Sequence, residues 1–462
     1  MVVVFFVMFT MVACQATKQT APTATSTAKP VQPQATQTSK PVSQPTQTEQ
    51  TAQTGLYIVG YSNYTDGFGD FHIVGEIKNG SMKSLTQMEL TVEVKDASGL
   101  SLLKDSNNKG VASLTFSPSM DNLAPGESSP FDYWLSSDAG KPDKYTVTVT
   151  GFNTSSVQRP KLKVTHTQMV SSGDGSFYIT GEILNLDTKP VEVHNLAGAM
   201  LDSSGQVVST SMSSDYSTYL EPAGDSAELD RTPFIITVDD PGNSPTRWNT
   251  YLDAEIVDPI DEFDASVKIA NNYQDENKST HIVGTVTNNS SVVLSTLIVA
   301  GVYAADGMVL DAYSARTPVH IDPGETVPFD ITSFSNVNGD STQASRIDHF
   351  TVQIDSYSTF ETAIESVLMQ TTNDNVNKSG AIWTVTGQVK NSSQKNLSSE
   401  TVVVMVYDKS GALVAANWDD LFPTGDSFVD GDVASYTIDI SFDPGADTSG
   451  YTFETLVKGD VK

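Results

Sequence analysis

The chain has 462 residues, a net charge of −30 and one cysteine, with 8% aromatic and 18% charged residues. A single thiol, Cys14, excludes an internal disulfide framework. The acidic excess excludes nucleic-acid binding and adsorption to anionic headgroups, both of which need clustered Lys and Arg; its plain role is solubility and repulsion on an exposed surface.

Val2 to Val12 is a largely apolar run too short to span a bilayer, and it ends in Met11-Val12-Ala13-Cys14, small residues directly before the thiol. The pattern resembles the lipobox of bacterial lipoprotein signal peptides, in which the cysteine becomes the lipid-modified first residue. Met11 stands where that family usually has Leu, and no Lys or Arg precedes the run, as expected of a start placed too late. The resemblance implies residues 1–14 as a signal peptide, lipidation at Cys14 and a bacterial, extracytoplasmic location at a cell or outer membrane. Residues 15–54 are almost entirely Thr, Gln, Ala, Ser, Pro, Lys and Val, with no aromatic residue. Such a stretch cannot bury enough apolar surface to offset its ordering entropy. It reads as a disordered linker with a coil span of roughly 35 Å. Lys18, Lys29 and Lys40 against Glu49 give residues 1–54 a net +2, which leaves −32 on the rest.

From residue 55 onward one pattern recurs four times: an apolar strand containing Gly, with Asn four residues later. The copies are His72 to Asn79, Tyr178 to Asn185, His281 to Asn288 and Trp383 to Asn391, with anchor glycines Gly75, Gly181, Gly284 and Gly387 spaced by 106, 103 and 103 residues. A fixed period of this length marks a tandem array. The expected repeats are 55–157, 158–259, 260–358 and 359–462. At about 100 residues, each can bury roughly two-thirds of its unfolded surface unaided.

Inside each repeat the period is two, the mark of a half-buried strand. About 24 residues after the anchor glycine comes an Asp-Gly turn, at Asp96-Ala97-Ser98-Gly99, Asp202-Ser203-Ser204-Gly205, Asp306-Gly307 and Asp408-Lys409-Ser410-Gly411, supplying the cap and positive-φ residue of a tight hairpin. Counting back from those glycines, Leu90, Val92 and Val94, and likewise Val402, Val404 and Val406, face a core. A third landmark is a Pro-Gly turn at Pro125-Gly126, Pro222-Ala223-Gly224, Pro323-Gly324 and Pro423-Thr424-Gly425. A short strand carrying Phe131, Phe234, Phe329 or Tyr436 follows it, and an aromatic-led strand closes each copy. Glu361 to Gln370, helix-like locally, reads as the opening strand of copy four. About seven short strands per hundred residues predict an all-β chain of four tandem immunoglobulin-like sandwiches. Connections of five to nine polar residues, such as Gly151 to Arg159, predict repeats that touch through no large apolar interface.

The Gly-x-x-x-Asn strand, the Leu-Asp or Tyr-Asp pair before the hairpin glycine (Leu201-Asp202, Tyr407-Asp408) and the Pro-Gly turn followed by an aromatic resemble the FxLYD-type sandwich domains of bacterial surface lipoproteins. The resemblance covers residues 56 to about 460. It implies an extracytoplasmic module and brings no catalytic residues.

The search for chemistry yields no nucleophile elbow, His-x-x-x-His or phosphate loop, so no catalytic residue, cofactor or metal is expected. His72 and His281 share a strand position that reads as a site for a large ring, filled by Tyr178 and Trp383 in the other copies. Acidic loops before the anchor strands, at Asp66 to Asp70, Ser172 to Gly175, Asp275 to Asn277 and Asn373 to Asn375, lack the regular oxygen spacing calcium needs and read as turns. Tyr57, Tyr61, Tyr64 and Phe68, with Tyr216, Tyr219 and Trp248, are expected to serve packing rather than sugar stacking. The favoured function is a non-catalytic, lipid-anchored spacer or protein-interaction array, its partners the membrane through Cys14 and a cell-wall polymer or surface protein. The alternative is a glycan- or cell-wall-binding lipoprotein, accessory to an enzyme or transporter. It would use the first repeat, where Gly75 and Pro125 lie furthest apart and a binding loop has room.

Overall fold

The computed structural model describes residues 55–462 except 174, 225–228, 243–244, 260–263, 340, 356–363 and 422–426. Cys14, the apolar run and the linker to residue 54 lie outside the described residues. No helix among the described residues is long and apolar enough to cross a membrane.

The described chain is all-β: 27 strands form eight sheets, two per repeat, and no sheet is shared between repeats. In repeat 3 an opening strand (Ala265–Gln274), an anchor strand (Thr280–Asn288) and a return strand (Thr326–Ile331) make one sheet. A hairpin strand (Val309–Arg316), a central strand (Leu297–Ala304) and a closing strand (Ile347–Asp355) make the other. Both sheets contribute to one core, with Ile282, Val286 and Phe329 facing Ile298, Ala300 and Val302. This is the immunoglobulin-like sandwich, pared to three strands per sheet.

The other repeats follow the plan. Repeat 1 has opening Leu56–Thr65, anchor Phe71–Asn79, central Ser84–Lys95, return Ser128–Leu135 and closing Lys144–Ser155. Repeat 2 has opening Leu162–Ser171, anchor Ser176–Asn185, central Val191–Leu201, hairpin Val207–Ser213, return Arg231–Asp239 and closing Arg247–Ile256. Repeat 4 has anchor Ile382–Lys390, central Leu397–Tyr407, hairpin Leu413–Asp420, return Val433–Ser441 and closing Thr452–Val461. Its opening segment is split: Ser366–Met369 pairs with the closing strand, and Thr371–Ser379 pairs with the anchor strand. Asn373-Asp374-Asn375 therefore sits in a strand, at a bulge, and not in the loop the sequence suggested.

The recurring motif has a structural cause in each part. Every anchor glycine is the cross-strand partner of the return-strand aromatic: Gly75 of Phe131, Gly181 of Phe234, Gly284 of Phe329 and Gly387 of Tyr436. The ring lies over the glycine, leaving no room for a side chain. The opening strand bulges opposite or next to the same place, with register shifts at Ile58/Gly60, Thr165/Gln168, Ile269/Asn271 and Thr372/Asn375. The anchor asparagines are buried and close the loop ends. Asn288 Nδ2 donates to Val292 O at 2.7 Å and Ile321 O at 2.8 Å, while its Oδ1 accepts from Ser290 N at 2.9 Å. Asn79, Asn185 and Asn391 repeat these bonds. Asp96, Asp202 and Asp408 each accept from backbone N–H two and four residues on, and Gly99, Gly205 and Gly411 take positive φ, as the turn reading expects.

One landmark is corrected in copy four. Gly126 and Gly324 donate their N–H to the carbonyls of Asn79 and Asn288; in copy four Gly431 does so to Asn391 at 2.7 Å. The turn is Asp430-Gly431-Asp432, without proline, and residues 422–426, which hold the Pro423 and Gly425 of the expected turn, lie outside the described residues.

The expectation that repeats touch without a large apolar interface is overturned. The hairpin strand of repeat 2 packs across the opening, anchor and return strands of repeat 1, repeat 3 docks likewise on repeat 2, and repeat 4 on repeat 3. Outward-facing Ala197, Ala199, Leu201 and Tyr251 of repeat 2 belong to one buried cluster with the core of repeat 1. Val403 of repeat 4 is buried with the core of repeat 3. Sheets thus stack on sheets across each junction, the packing that seals a solenoid repeat against its neighbour.

The two outermost faces differ from these. The equivalent outward residues are Thr91, Glu93 and Lys95 on the central strand of repeat 1, and Thr384, Thr386 and Gln388 on the anchor strand of repeat 4; none of them is buried. Polar outer faces are what terminal repeats need.

Candidate functional site at the repeat junctions

Three kinds of polar contact recur where repeats meet. The first begins at the opening-strand bulge. Ser62, Gln168 and Asn271 occupy one equivalent position and donate to hairpin-strand carbonyls of the next repeat, Val207 O at 2.7 Å, Val309 O at 2.9 Å and Val414 O at 2.9 Å.

The second joins the closing strand to the preceding repeat's loop before the return strand. Asp253, fully buried, accepts from Asp121 N and Asn122 N, both at 2.9 Å, and pairs with Arg159 Nη1 at 2.5 Å. Arg159 also pairs with Glu127 of repeat 1 at 2.8 Å and donates to the Asn122, Leu252 and Ala254 carbonyls, so its planar fork is fully used. At the next junction Asp355 accepts from Thr218 N at 3.1 Å and Oγ1 at 2.6 Å. At the last, Lys458, 2% exposed, pairs with Glu325 at 2.6 Å and Asp322 at 2.9 Å and donates to His320 O at 2.7 Å.

The third is a Tyr–His–Asp cluster on the covered face of repeats 1 and 3. His72 is stacked on Tyr64 with ring centres 4.6 Å apart, its Nδ1 lies 2.9 Å from Asp132 Oδ2, and its Nε2 faces Asp66 at 3.7 Å. His281 repeats this with Tyr273 at 4.4 Å, Asp330 at 2.9 Å and Asp275 at 3.8 Å. Burial pushes the His72 imidazole down, but its bond to Asp132 and the charges of Asp132, Asp66 and Asp239 outweigh it and hold the imidazole above its ordinary range. Burial pushes the Asp330 carboxyl up, against the opposing pull of His281.

The structure corrects the sequence alignment at this position. Its equivalents are Tyr178 and Thr384, three residues before the anchor glycine. Trp383 stands one residue earlier, faces inward and is fully buried against Phe442 and Tyr451. A one-residue slip on a strand exchanges the two faces, so no common ring site exists. What varies is a diagonal pair: His72 with Asp132, Tyr178 with Ile235, His281 with Asp330, Thr384 with Thr437.

Clefts open beside the junctions. Between repeats 3 and 4 a cleft of about 340 Å³ is lined by His281, Tyr313, Asp330, Trp418, Asn417 and Asp439 among others. One of about 280 Å³ between repeats 2 and 3 is lined by His166, Glu182, Arg231, Tyr303 and His349 among others. There the buried Glu182 accepts from Tyr303 OH at 3.1 Å and lies 3.4 Å from His166 Nδ1.

The other singled-out residues fall into structural roles. Asp66 and Asp275 accept backbone N–H within their own loops, while Asp174 lies outside the described residues. Tyr61, Tyr64, Tyr216 and Tyr219 pack in or against cores; Phe68 is exposed. The extra length of copy one folds into a side turn, Asp105 to Lys109, flanked by buried Leu103, whose carbonyl accepts from Val111 N. One cluster was missed by the sequence reading: Glu192, His194 and Glu255 of repeat 2 bring a donor atom each within 4.8 Å of one another. The Glu-x-His spacing was visible, but its third member is on a strand some sixty residues away.

No family model matches this chain, and no curated protein is similar to it. Among solved structures it is similar to the native conformation of Escherichia coli alpha-2-macroglobulin, with TM-score 0.12 and 9% identity over 86% of this chain and 28% of that one. The elastase-activated form of that protein matches with TM-score 0.13 and 9% identity over 88% and 44%. The chain therefore spans less than half the length of the macroglobulin chains it matches.

Proposed function

We propose that this chain is a non-catalytic lipoprotein of the FxLYD-type sandwich class, anchored through Cys14 to a bacterial cell or outer membrane, whose four sandwiches act as one coupled spacer and protein-interaction array. The observation that carries the reading is the use made of buried charge. Arg159, Asp253, Asp355 and Lys458 are all engaged in locking one repeat to the next. Stiff coupling between modules suits a protein that must hold a binding partner at a defined distance from its anchor. Cys14→Ser tests the anchor: the variant is expected to leave the membrane fraction with its circular dichroism unchanged, and unchanged membrane fractionation contradicts the proposal.

A second reading, binding of a glycan or cell-wall polymer, is favoured by the cleft between repeats 3 and 4 rather than by the first repeat. Trp418 and Tyr313 supply ring surface there, and Asn417 and Asp439 supply hydrogen-bonding groups. Binding of the chain to a peptidoglycan and polysaccharide panel, lost in Trp418→Ala, supports it; uniform silence returns the account to the array alone.

A further inference from the structure

Glu192 and Glu255 are cross-strand partners on the central and closing strands of repeat 2, directly opposite each other. Like charges so placed destabilise a sheet. The register of the same two strands shifts between Val193 and Asn195, which makes His194 the extra residue of a bulge. Bulges re-aim a side chain, and this one sets the imidazole between the two carboxylates. His194 Nδ1 is 3.6 Å from Glu192 Oε1, and Nε2 is 3.3 Å from Glu255 Oε1. Both separations exceed the usual N–H···O bond length of about 2.9 Å. The imidazole therefore does not close the gap by hydrogen bonding, and among the described residues neither glutamate has a Lys or Arg partner.

We propose that Glu192, His194 and Glu255 form a binding site for a divalent transition metal of the Zn²⁺ class. Ligand bonds of about 2.1 Å place tetrahedral donor atoms roughly 3.4 Å apart. The donors here lie within 4.8 Å of one another on side chains that are 18 to 40% exposed, so their ends can converge without backbone movement. One imidazole with two carboxylates selects Zn²⁺ or its neighbours over Ca²⁺ and Mg²⁺, which prefer oxygen alone. Three protein ligands leave a fourth position for water. The acidic surface concentrates cations at the site. Next to the bulge, Asn195 Nδ2 donates to Asp121 Oδ2 of repeat 1 at 3.1 Å, so a metal that ties the central strand to the closing strand also braces the first junction.

The test is calorimetric titration of the chelator-treated full chain with zinc chloride, alongside His194→Ala and Glu255→Gln. The expected result is one saturable site in the parent that is lost in His194→Ala and weakened in Glu255→Gln. Unchanged circular dichroism in Glu255→Gln, a near-isosteric surface change, separates loss of a ligand from loss of fold. Equal binding in His194→Ala, displacement by an equal concentration of Ca²⁺, or no saturable site in the parent overturns the proposal.

Discussion

Gly181 lies beneath the ring of Phe234: a Cβ at Gly181 would stand 2.7 Å from Phe234 Cζ and 2.8 Å from Thr167 Cγ2. The glycine is there because the return-strand aromatic occupies its side-chain space, and the bulge in the opening strand crowds it from the other side. Gly181→Val must displace a fully buried ring, which in a packed core costs about 1 to 3 kcal/mol. Urea unfolding should show that loss in repeat 2, and a variant as stable as the parent would refute the packing account.

Arg159 is the counter-charge for buried Asp253 at the first junction. Removing one partner of a buried pair leaves an uncompensated charge, worth about 3 to 5 kcal/mol. Arg159→Ala should therefore lower the first unfolding midpoint strongly, and adding Asp253→Asn should recover part of the loss by removing that charge. If the double variant is no more stable than Arg159→Ala, the pair is not what holds the junction.

His72 gives the first repeat a pH dependence of defined sign. Its folded pKa is raised above the ordinary 6.5, so the folded state binds the proton more tightly than the unfolded one. The stabilisation is fully present below about pH 6.5 and is lost as pH rises through the higher folded value. Thermal midpoints measured from pH 6 to 9 should fall more steeply for the parent than for His72→Gln; parallel profiles would contradict the assignment.

Much of this fold was legible in the sequence. Alternation at Leu90, Val92 and Val94, the Asp-Gly turns and the anchor Gly and Asn all mapped onto strands, hairpins and loop closures. The docking of repeats is written there too, in strands that lack alternation. Leu90 to Lys95 alternates with Thr91, Glu93 and Lys95, whereas Leu196 to Leu201, Ile298 to Tyr303 and Val402 to Tyr407 are apolar or small on both faces. A strand without alternation is buried on both sides, and these three belong to the three repeats that dock on a predecessor. The His72–Asp132 and Arg159–Asp253 pairs were not legible, because their members lie 60 and 94 residues apart and meet only through sheet register and junction geometry. Copy four misled twice, at Trp383 and at the Pro-Gly turn, where local resemblance favoured a register that tertiary pairing does not adopt.

The central claim is that neighbouring sandwiches are docked and coupled, and hydrogen exchange on Ala199→Arg tests it most directly. Ala199 is fully buried against repeat 1, so an arginine there must force the first junction apart. Exchange should accelerate in the opening strand Leu56–Thr65 and the hairpin strand Val207–Ser213, while Thr371–Ser379 in repeat 4 keeps its parent rate. Unchanged exchange in both junction strands of a folded Ala199→Arg protein would show that the repeats are independent beads, and the coupled array would have to be abandoned.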